Sequence, residues 1–291
     1  MVLRYLLLFL GVFACSTSAV LIRMSGTDPF VLTAMRLLTG TAILVPLYLA
    51  QTRRSGRLTR AQLGRTRLPS VVLALHLITW TLGARMTVVA QASLIVNLVP
   101  IAMPFFLIWL AAERINRAEI TGTVLAIAGV AILSVKDAWL GGGSLAGDAL
   151  CFLSMILFAL YLSLGRRNRD FPSIWLYVVP VYGQAGLICL AVALPRISGF
   201  AWGSGREWAL MVALGVIPTV CGHSLLNAAM RRIRGQMVSL CNSTQFVFAG
   251  VLGFALFGEV PDGFFYPACA IVLAGLVIVV LASPAPLPEP P

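Results

Sequence analysis

ASLIVNLVPIAMPFFLIWLAAERI (Ala92 to Ile115) and VSLCNSTQFVFAGVLGFALFGEV (Val238 to Val260) are two versions of one segment. The offset is 239 − 93 = 146 residues, which places Ser93 on Ser239, Leu94 on Leu240 and Glu113 on Glu259, and carries Arg85 onto Arg231 just upstream. An offset of half the chain length suggests an internal duplication. Both copies are almost wholly apolar, so the duplicated unit belongs in a membrane. Duplicated bundles in an apolar chain point first to a secondary transporter, whose substrate site lies where two related halves meet.

The whole chain supports that frame. Its 291 residues are 59% hydrophobic and only 11% charged, with a mean hydropathy of +0.95, too little polar surface for a soluble globule of this size. A spanning helix needs about 20 mostly apolar residues. Ten candidates satisfy this, near 3–22, 29–50, 68–87, 93–111, 118–135, 145–164, 173–195, 208–229, 236–257 and 264–282. The expected fold is therefore an all-α integral membrane protein of ten transmembrane helices.

The basic excess, 21 Lys and Arg against 10 Asp and Glu, is a topology signal rather than a nucleic-acid footprint. If loops alternate sides, fifteen basic residues share one side: Arg4, then Arg53, Arg54, Arg57, Arg60, Arg65 and Arg67, then Arg114 and Arg117, then Arg166, Arg167 and Arg169, then Arg231, Arg232 and Arg234. Five face the other side (Arg23, Arg85, Lys136, Arg196, Arg206), and Arg36 lies within a span. The positive-inside rule then puts both termini on the cytoplasmic side. The six cysteines fall inside predicted spans without metal-ligand spacing or pairing and read as small core residues. Arg4 and the apolar run to Cys15 have a faint likeness to a lipoprotein signal, but the apolar stretch continues to Ile22 and is taken as an uncleaved first span.

The fronts of the halves also match. A shift of 143 places Arg23 on Arg166 and Asp28-Pro29 on Phe171-Pro172, so that a span ending in arginine is followed by a turn and a helix-opening proline. Five spans per unit, an odd number, means that the second unit enters the membrane upside down. The chain divides into residues 1–137, a first five-helix repeat, residues 138–282, a second and inverted one, and a proline-rich tail, 283–291, expected to be disordered. Gly122, Ala126 and Gly129 in the fifth span, and Ala268 and Gly275 in the tenth, have helix-packing spacing.

A helix with small residues and proline that ends in an acid, followed by a helix with G-x6-G spacing, resembles the EamA-type repeat of the drug/metabolite transporter superfamily. The elements are Pro100 to Glu113 with Gly122 and Gly129, and Phe246 to Glu259 with Gly275. The family's typical Leu-Gly-Glu at the end of this helix is Phe257-Gly258-Glu259 in the second copy and Ala111-Ala112-Glu113 in the first. The resemblance covers nearly the whole chain. Within the superfamily, ten-span bacterial members of this length are most similar to the YddG-type amino-acid exporters, which implies efflux of aromatic and other neutral amino acids across the inner membrane.

No Asp or Glu lies near the middle of a predicted span, so the buried carboxylate usually used to couple protons or sodium is missing, and facilitated diffusion is favoured. Two histidines still leave proton coupling open. His76 and Trp80 lie four apart in the third span, and His223 and Asn227 four apart in the eighth; the 146-residue shift places His76 one residue from His223. Such groups either share a polar cavity or bond to a neighbouring carbonyl. In the fourth span Asn97 precedes Pro100 and Pro104, prolines that free backbone carbonyls able to hold an ammonium group; Asn242 and Gln245 lie at the corresponding depth of the ninth span. Tyr161, Trp175, Tyr177, Tyr182, Phe105 and Phe246 either wall an apolar pocket with Trp80 or serve as core and interfacial anchors, as does Trp109. Arg36 either snorkels or binds a carboxylate, and its position favours snorkelling. The candidate substrate-binding set is His76, Trp80, Asn97, Pro100, Tyr161, His223, Asn227, Asn242 and Gln245.

The inventory for catalysis is thin: two histidines, no mid-span acid and no G-x-S-x-G, H-E-x-x-H or phosphate-cradling loop. An enzyme is not expected. The expected protein takes an amino acid as its small-molecule partner, is solvated by membrane lipid, needs no cofactor or metal, binds no nucleic acid and requires no second subunit.

Overall fold

A computed structural model describes residues 2–87, 89–113, 115–140, 144–199, 204–260 and 263–281. The proline-rich tail lies outside them. Among the described residues every regular element is helical: α1 (Val2–Met24), α2 (Pro29–Ser55), α3 (Arg60–Met86), α4 (Val89–Val96), α5 (Val99–Ala111), α6 (Arg117–Leu140), α7 (Leu145–Arg167), α8 (Ile174–Ala193), α9 (Gly205–Leu214), a π-helical stretch (Gly215–His223), α10 (Ser224–Arg232), α11 (Gly235–Ser243), α12 (Gln245–Phe257) and α13 (Phe265–Leu281). The pairs α4/α5 and α11/α12 are the halves of the fourth and ninth expected spans, and α9 to α10 is the eighth. Eight continuous stretches are long and apolar enough to cross a bilayer, and the stretch near the tenth expected span, Tyr266–Ile278, is a shorter apolar helix. The count of eight leaves out the fifth and tenth spans, so ten remains the reading of the repeat pattern.

Local chemistry sets where the helices begin and end. Asp28 caps α2 by accepting from the amides of Phe30 and Val31, with Pro29 at the first helical position, where its missing N–H costs nothing. Thr59 and Gln62 form a reciprocal capping box on α3, and Asn116 and Glu119 cap one another at the start of α6. At their far ends α5 and α12 finish alike. Ala112 (φ 51°) and Gly258 (φ 67°), equivalent under the 146-residue offset, both adopt the left-handed conformation. The next amides, of Glu113 and Glu259, then reach back to Leu107 and Gly253, again equivalent. The shared closure turns each glutamate away from its helix axis. It also explains the glycine of Phe257-Gly258-Glu259: only glycine adopts this backbone without a Cβ penalty.

Helix pairing follows the repeat. Four of the larger interfaces are α2 with α8, α3 with α7, α6 with α13, and α1 with the π stretch. Exchanging the repeats turns the first and third pairings into themselves and interconverts the other two, as a pseudo-two-fold axis requires. Both interconverted interfaces use one packing device. Gly11 and Cys15 of α1 meet Gly222, and Gly147 and Cys151 of α7 meet Gly83; a Cβ at Gly222 would lie 2.5 Å from Cys15 Sγ, and one at Gly83 2.7 Å from Cys151 Sγ. Cys15 and Cys151 are thus small contact residues buried between helices. In the α6–α13 pair Gly129 meets Ala268, and Gly275 meets Gly122.

Large apolar residues cover the outside, including Trp109 (89% exposed) and Phe105 (69%), as lipid contact demands. Phe105 therefore walls no internal pocket. Tyr177 and Tyr182 are buried in the main core, while Phe246 packs in a satellite cluster with Leu94 and Val272.

Two stability outcomes follow. Ala112→Gly should stabilise the protein by about 0.5–1 kcal/mol by relieving the left-handed alanine; thermal unfolding in detergent that shows no gain would contradict the assigned backbone. Gly222→Val should lower stability by at least about 1–3 kcal/mol through overpacking against Cys15, whereas Gly64→Ala, with nothing within 4 Å of the added Cβ, should be neutral or mildly stabilising.

Candidate functional site

The two broken helices cross at their breaks. Ser243 Oγ donates to the carbonyl of Asn97 at 2.9 Å, and these residues are 146 apart, so the bond joins equivalent positions and lies at the pseudo-two-fold axis. Asn242 Nδ2 donates to Asn97 Oδ1 at 2.9 Å, and Gln245 Nε2 donates to Asn242 Oδ1. A chain of amides thus runs along the axis, satisfying backbone and side-chain groups that lipid cannot.

Beside it lies a cavity of about 30 Å³ lined by Cys15, Ser18, Arg36, His76, Trp80, Val96, Asn97, Phe158, His223 and Gln245. Residues from both repeats contribute. The space admits a few water molecules and no metabolite, so this conformation is contracted around the site.

Five members of the candidate set reach the cavity: His76, Trp80, Asn97, His223 and Gln245. His76 Nδ1 bonds the carbonyl of Ser154 at 3.0 Å, and its ring stacks on Phe158 with centroids 4.6 Å apart, so the carbonyl-bonded reading of this histidine holds together with the cavity reading. His223 stands 6.1 Å from His76 between ring centroids, and its Nδ1 is buried without a hydrogen-bond partner. Trp80 Nε1 donates to Ser18 Oγ at 3.0 Å.

The other four lie outside the cavity lining. Tyr161 accepts a 2.8 Å hydrogen bond from Asn227 Nδ2 behind His223, and Asn242 is consumed by the amide chain. The carbonyl of Pro100, released by Pro104 four residues on, accepts from Gln236 Nε2 at 3.1 Å rather than standing free for an ammonium group. Arg36 corrects the snorkelling expectation. It is 1% exposed, and it donates from Nε to Thr219 Oγ1 at 2.7 Å and from Nη1 to Ser18 Oγ at 3.0 Å. It faces inward because it lies on the α2 face that also buries Thr33, Leu37, Gly40 and Leu44. Ser18 and Phe158 gave no signal in the sequence, since serine and phenylalanine are ordinary in apolar helices.

Both ends of the bundle carry equivalent contacts. At the arginine-rich end Arg166 Nε meets Glu113 Oε2 at 2.9 Å, Arg166 Nη1 donates to the Met230 carbonyl, and the Gly235 amide donates to Glu113. At the opposite end Arg23 pairs with Glu259. The repeat offsets equate Arg23 with Arg166 and Glu113 with Glu259, so one ion pair is built twice, once at each end. A second latch joins the loop after α1 or α7 to the start of α9 or α3. Glu207 accepts from the Ser25 and Thr27 hydroxyls and the Gly26 amide. At its counterpart the helix supplies the donor instead: Arg65 donates to Asp170 at 2.6 and 2.8 Å and to Asn168 at 3.0 Å. Those bonds hold the Asp170 carboxyl below the usual carboxylate range. Glu119, at the start of α6, is fully buried and paired with Arg234, whose guanidinium it pushes above its ordinary range.

Comparison with known proteins agrees with this architecture. The chain is 25% identical over 266 residues to an uncharacterized transporter of Archaeoglobus fulgidus, covering 90% of each chain. It is 24% identical over 199 residues to the aromatic amino acid exporter YddG of Ancylobacter novellus, covering 67% of this chain and 68% of that one. It is 25% identical over 236 residues to the pseudopaline exporter CntI of Pseudomonas aeruginosa, covering 81% and 79%. A solved crystal structure with 22% identity superposes with a TM-score of 0.75 over 96% of each chain and shares the fold. Residues 2–135 and 145–281, one stretch in each half, both match the EamA-like transporter family, and the chain belongs to that family of the drug/metabolite transporter superfamily.

Proposed function

We propose that this transporter exports amino acids, aromatic and other neutral ones, by facilitative alternating access across a bacterial inner membrane, with both termini and the arginine-rich end in the cytoplasm. The observation that carries the reading is the axial cavity enclosed between two equivalent ion-pair closures. Opening one closure at a time would expose the same residues to either side. Trp80 and Phe158 offer an aromatic wall, and Arg36, Asn97 and Gln245 offer polar groups for a zwitterion. The amino-acid assignment draws support from the YddG relative. The pseudopaline exporter favours a second reading, a different small metabolite on the same carrier. Among the described residues no carboxylate lines the cavity, which supports uncoupled transport. His76 lies 2.8 Å from the Ser154 hydroxyl, but no carboxylate among the described lining residues orients that imidazole, which argues against an enzyme.

Purified protein in proteoliposomes should take up labelled tryptophan, phenylalanine, methionine or threonine saturably and without response to an imposed pH gradient. Trp80→Ala and Asn97→Ala should each lower that flux about tenfold, the equivalent of one lost contact of ~1.4 kcal/mol. Flux of none of the four would sink the amino-acid assignment, and accumulation driven by the gradient would replace facilitation with proton coupling through His76 or His223.

The closures can be tested separately, because Cys15 lines the cavity. In a variant that keeps Cys15 and replaces the other five cysteines by alanine, Glu259→Gln should raise labelling by a membrane-impermeant thiol reagent several-fold from the face of the Arg23–Glu259 end. Glu113→Gln should do the same from the arginine-rich face. Labelling that changes from neither face would remove the closures from the transport cycle.

A further inference from the structure

Arg36 has a buried charge and no counter-charge. The residue is 1% exposed, yet no carboxylate among the described residues lies within ion-pair distance of its guanidinium. Five N–H groups need acceptors, two have them in Thr219 and Ser18, and three remain, including both on Nη2. Buried guanidinium groups ordinarily sit against acids, because desolvation without a partner is costly.

The surroundings hold this cost in place. Thr219 Oγ1 donates to the Leu214 carbonyl at 2.9 Å within the π-helical stretch, and this fixes its lone pairs as acceptors for Arg36 Nε. Ser18 Oγ accepts from both Trp80 Nε1 and Arg36 Nη1. The guanidinium is therefore oriented from α1, α3 and the π stretch, with its remaining edge toward the cavity that it lines. A second group on that lining also lacks a partner, His223 Nδ1. An oriented cation and an unmatched imidazole nitrogen on one cavity are what a bound anion with a hydrogen-bonding neighbour would satisfy.

We infer that Arg36 is the receptor for the carboxylate of the transported solute and restricts this carrier to organic monoanions and carboxylate-bearing zwitterions. The lining holds one cation among uncharged amides, hydroxyls and imidazoles. That balance suits a single negative charge, received end-on by two N–H groups; a doubly charged phosphate would face one positive charge only. The inference rests on the cavity being the transport site and deepens that reading.

The experiment measures binding apart from transport. Detergent-purified protein is titrated with 3-phenylpropionate, with its uncharged isostere 3-phenylpropanamide and with phenylphosphonate, by equilibrium binding and thermal shift. The carboxylate should bind at least tenfold more tightly than the amide and the phosphonate. Arg36→Met should abolish that preference while the ligand-free melting temperature holds or rises, because an unpartnered buried charge has been removed. Arg36→Lys should keep part of the preference. Equal binding of carboxylate and amide, tighter binding of phosphonate, or retained preference in Arg36→Met would overturn the assignment. A ligand-free melting temperature that falls sharply in both Arg36→Met and Arg36→Lys, with the carboxylate preference unchanged, would make Arg36 a structural tie between α1 and the π stretch and likewise overturn it. Carboxylate binding without flux of any solute would sustain the receptor and dismiss the transport reading. Equal flux of phenylalanine and phenethylamine, undiminished by Arg36→Met, would dismiss the receptor and leave transport standing.

Discussion

A bilayer offers no partner to a backbone amide or carbonyl, so a helix that breaks inside one must have its loose ends satisfied by protein. Two helices break here, at Asn97-Leu98 and at Thr244, and each supplies what the other lacks. The crossing is stable only if both halves meet at that depth and with that register. The pseudo-two-fold arrangement, the meeting of helices from both repeats around a shared space and the polar character of that space all accord with this mutual satisfaction. An apolar substitution of the amides would leave unbonded carbonyls at the axis, at about 1–3 kcal/mol for each buried group.

Much of this was legible in the chain. The 146-residue echo pointed to the two halves and the equivalence of Glu113 with Glu259, because apolar helices with small residues keep their order through divergence, but it showed the fourth and ninth spans as continuous and not as broken helices. The 143-residue shift matched Arg23 with Arg166. The crosswise meeting of these residues was not legible, since pairing between halves depends on which spans are neighbours, and a linear offset holds no such information.

Other features escaped for distinct physical reasons. The Arg65–Asp170 and Glu207–Ser25 latches join equivalent elements by different chemistry, an ion pair in one and a carboxylate on a hydroxyl in the other, so residue matching saw no kinship. The Gly11/Cys15 and Gly147/Cys151 pairs lie 136 residues apart, off both repeat offsets, so reading the cysteines as small core residues did not show which glycines they meet. His76 and Trp80 were visible because polar groups in an apolar helix need a reason. Arg36 was visible for the same reason, but its distance from the helix start, about 10 Å from Pro29 at 1.5 Å per residue, suggested an escape to the surface that the packing of α2 against α8 closes.

The two end closures share a design but not an environment. The Arg166 and Glu113 side chains are 4% and 10% exposed, whereas those of Arg23 and Glu259 are 32% and 25% exposed. Separating the nearly dry pair costs more, because its charges gain water only once the mouth has opened, while the wetter pair exchanges its partner for water already at hand and is screened by salt at a cost of about 0–1 kcal/mol. The empty carrier is therefore a weighted switch that rests with its arginine-rich mouth locked and its other mouth on a lighter catch. Ionic strength would act on the lighter catch first, so the resting bias, and with it the rate at which the unloaded protein resets, is tied to the salt content of one compartment more than the other.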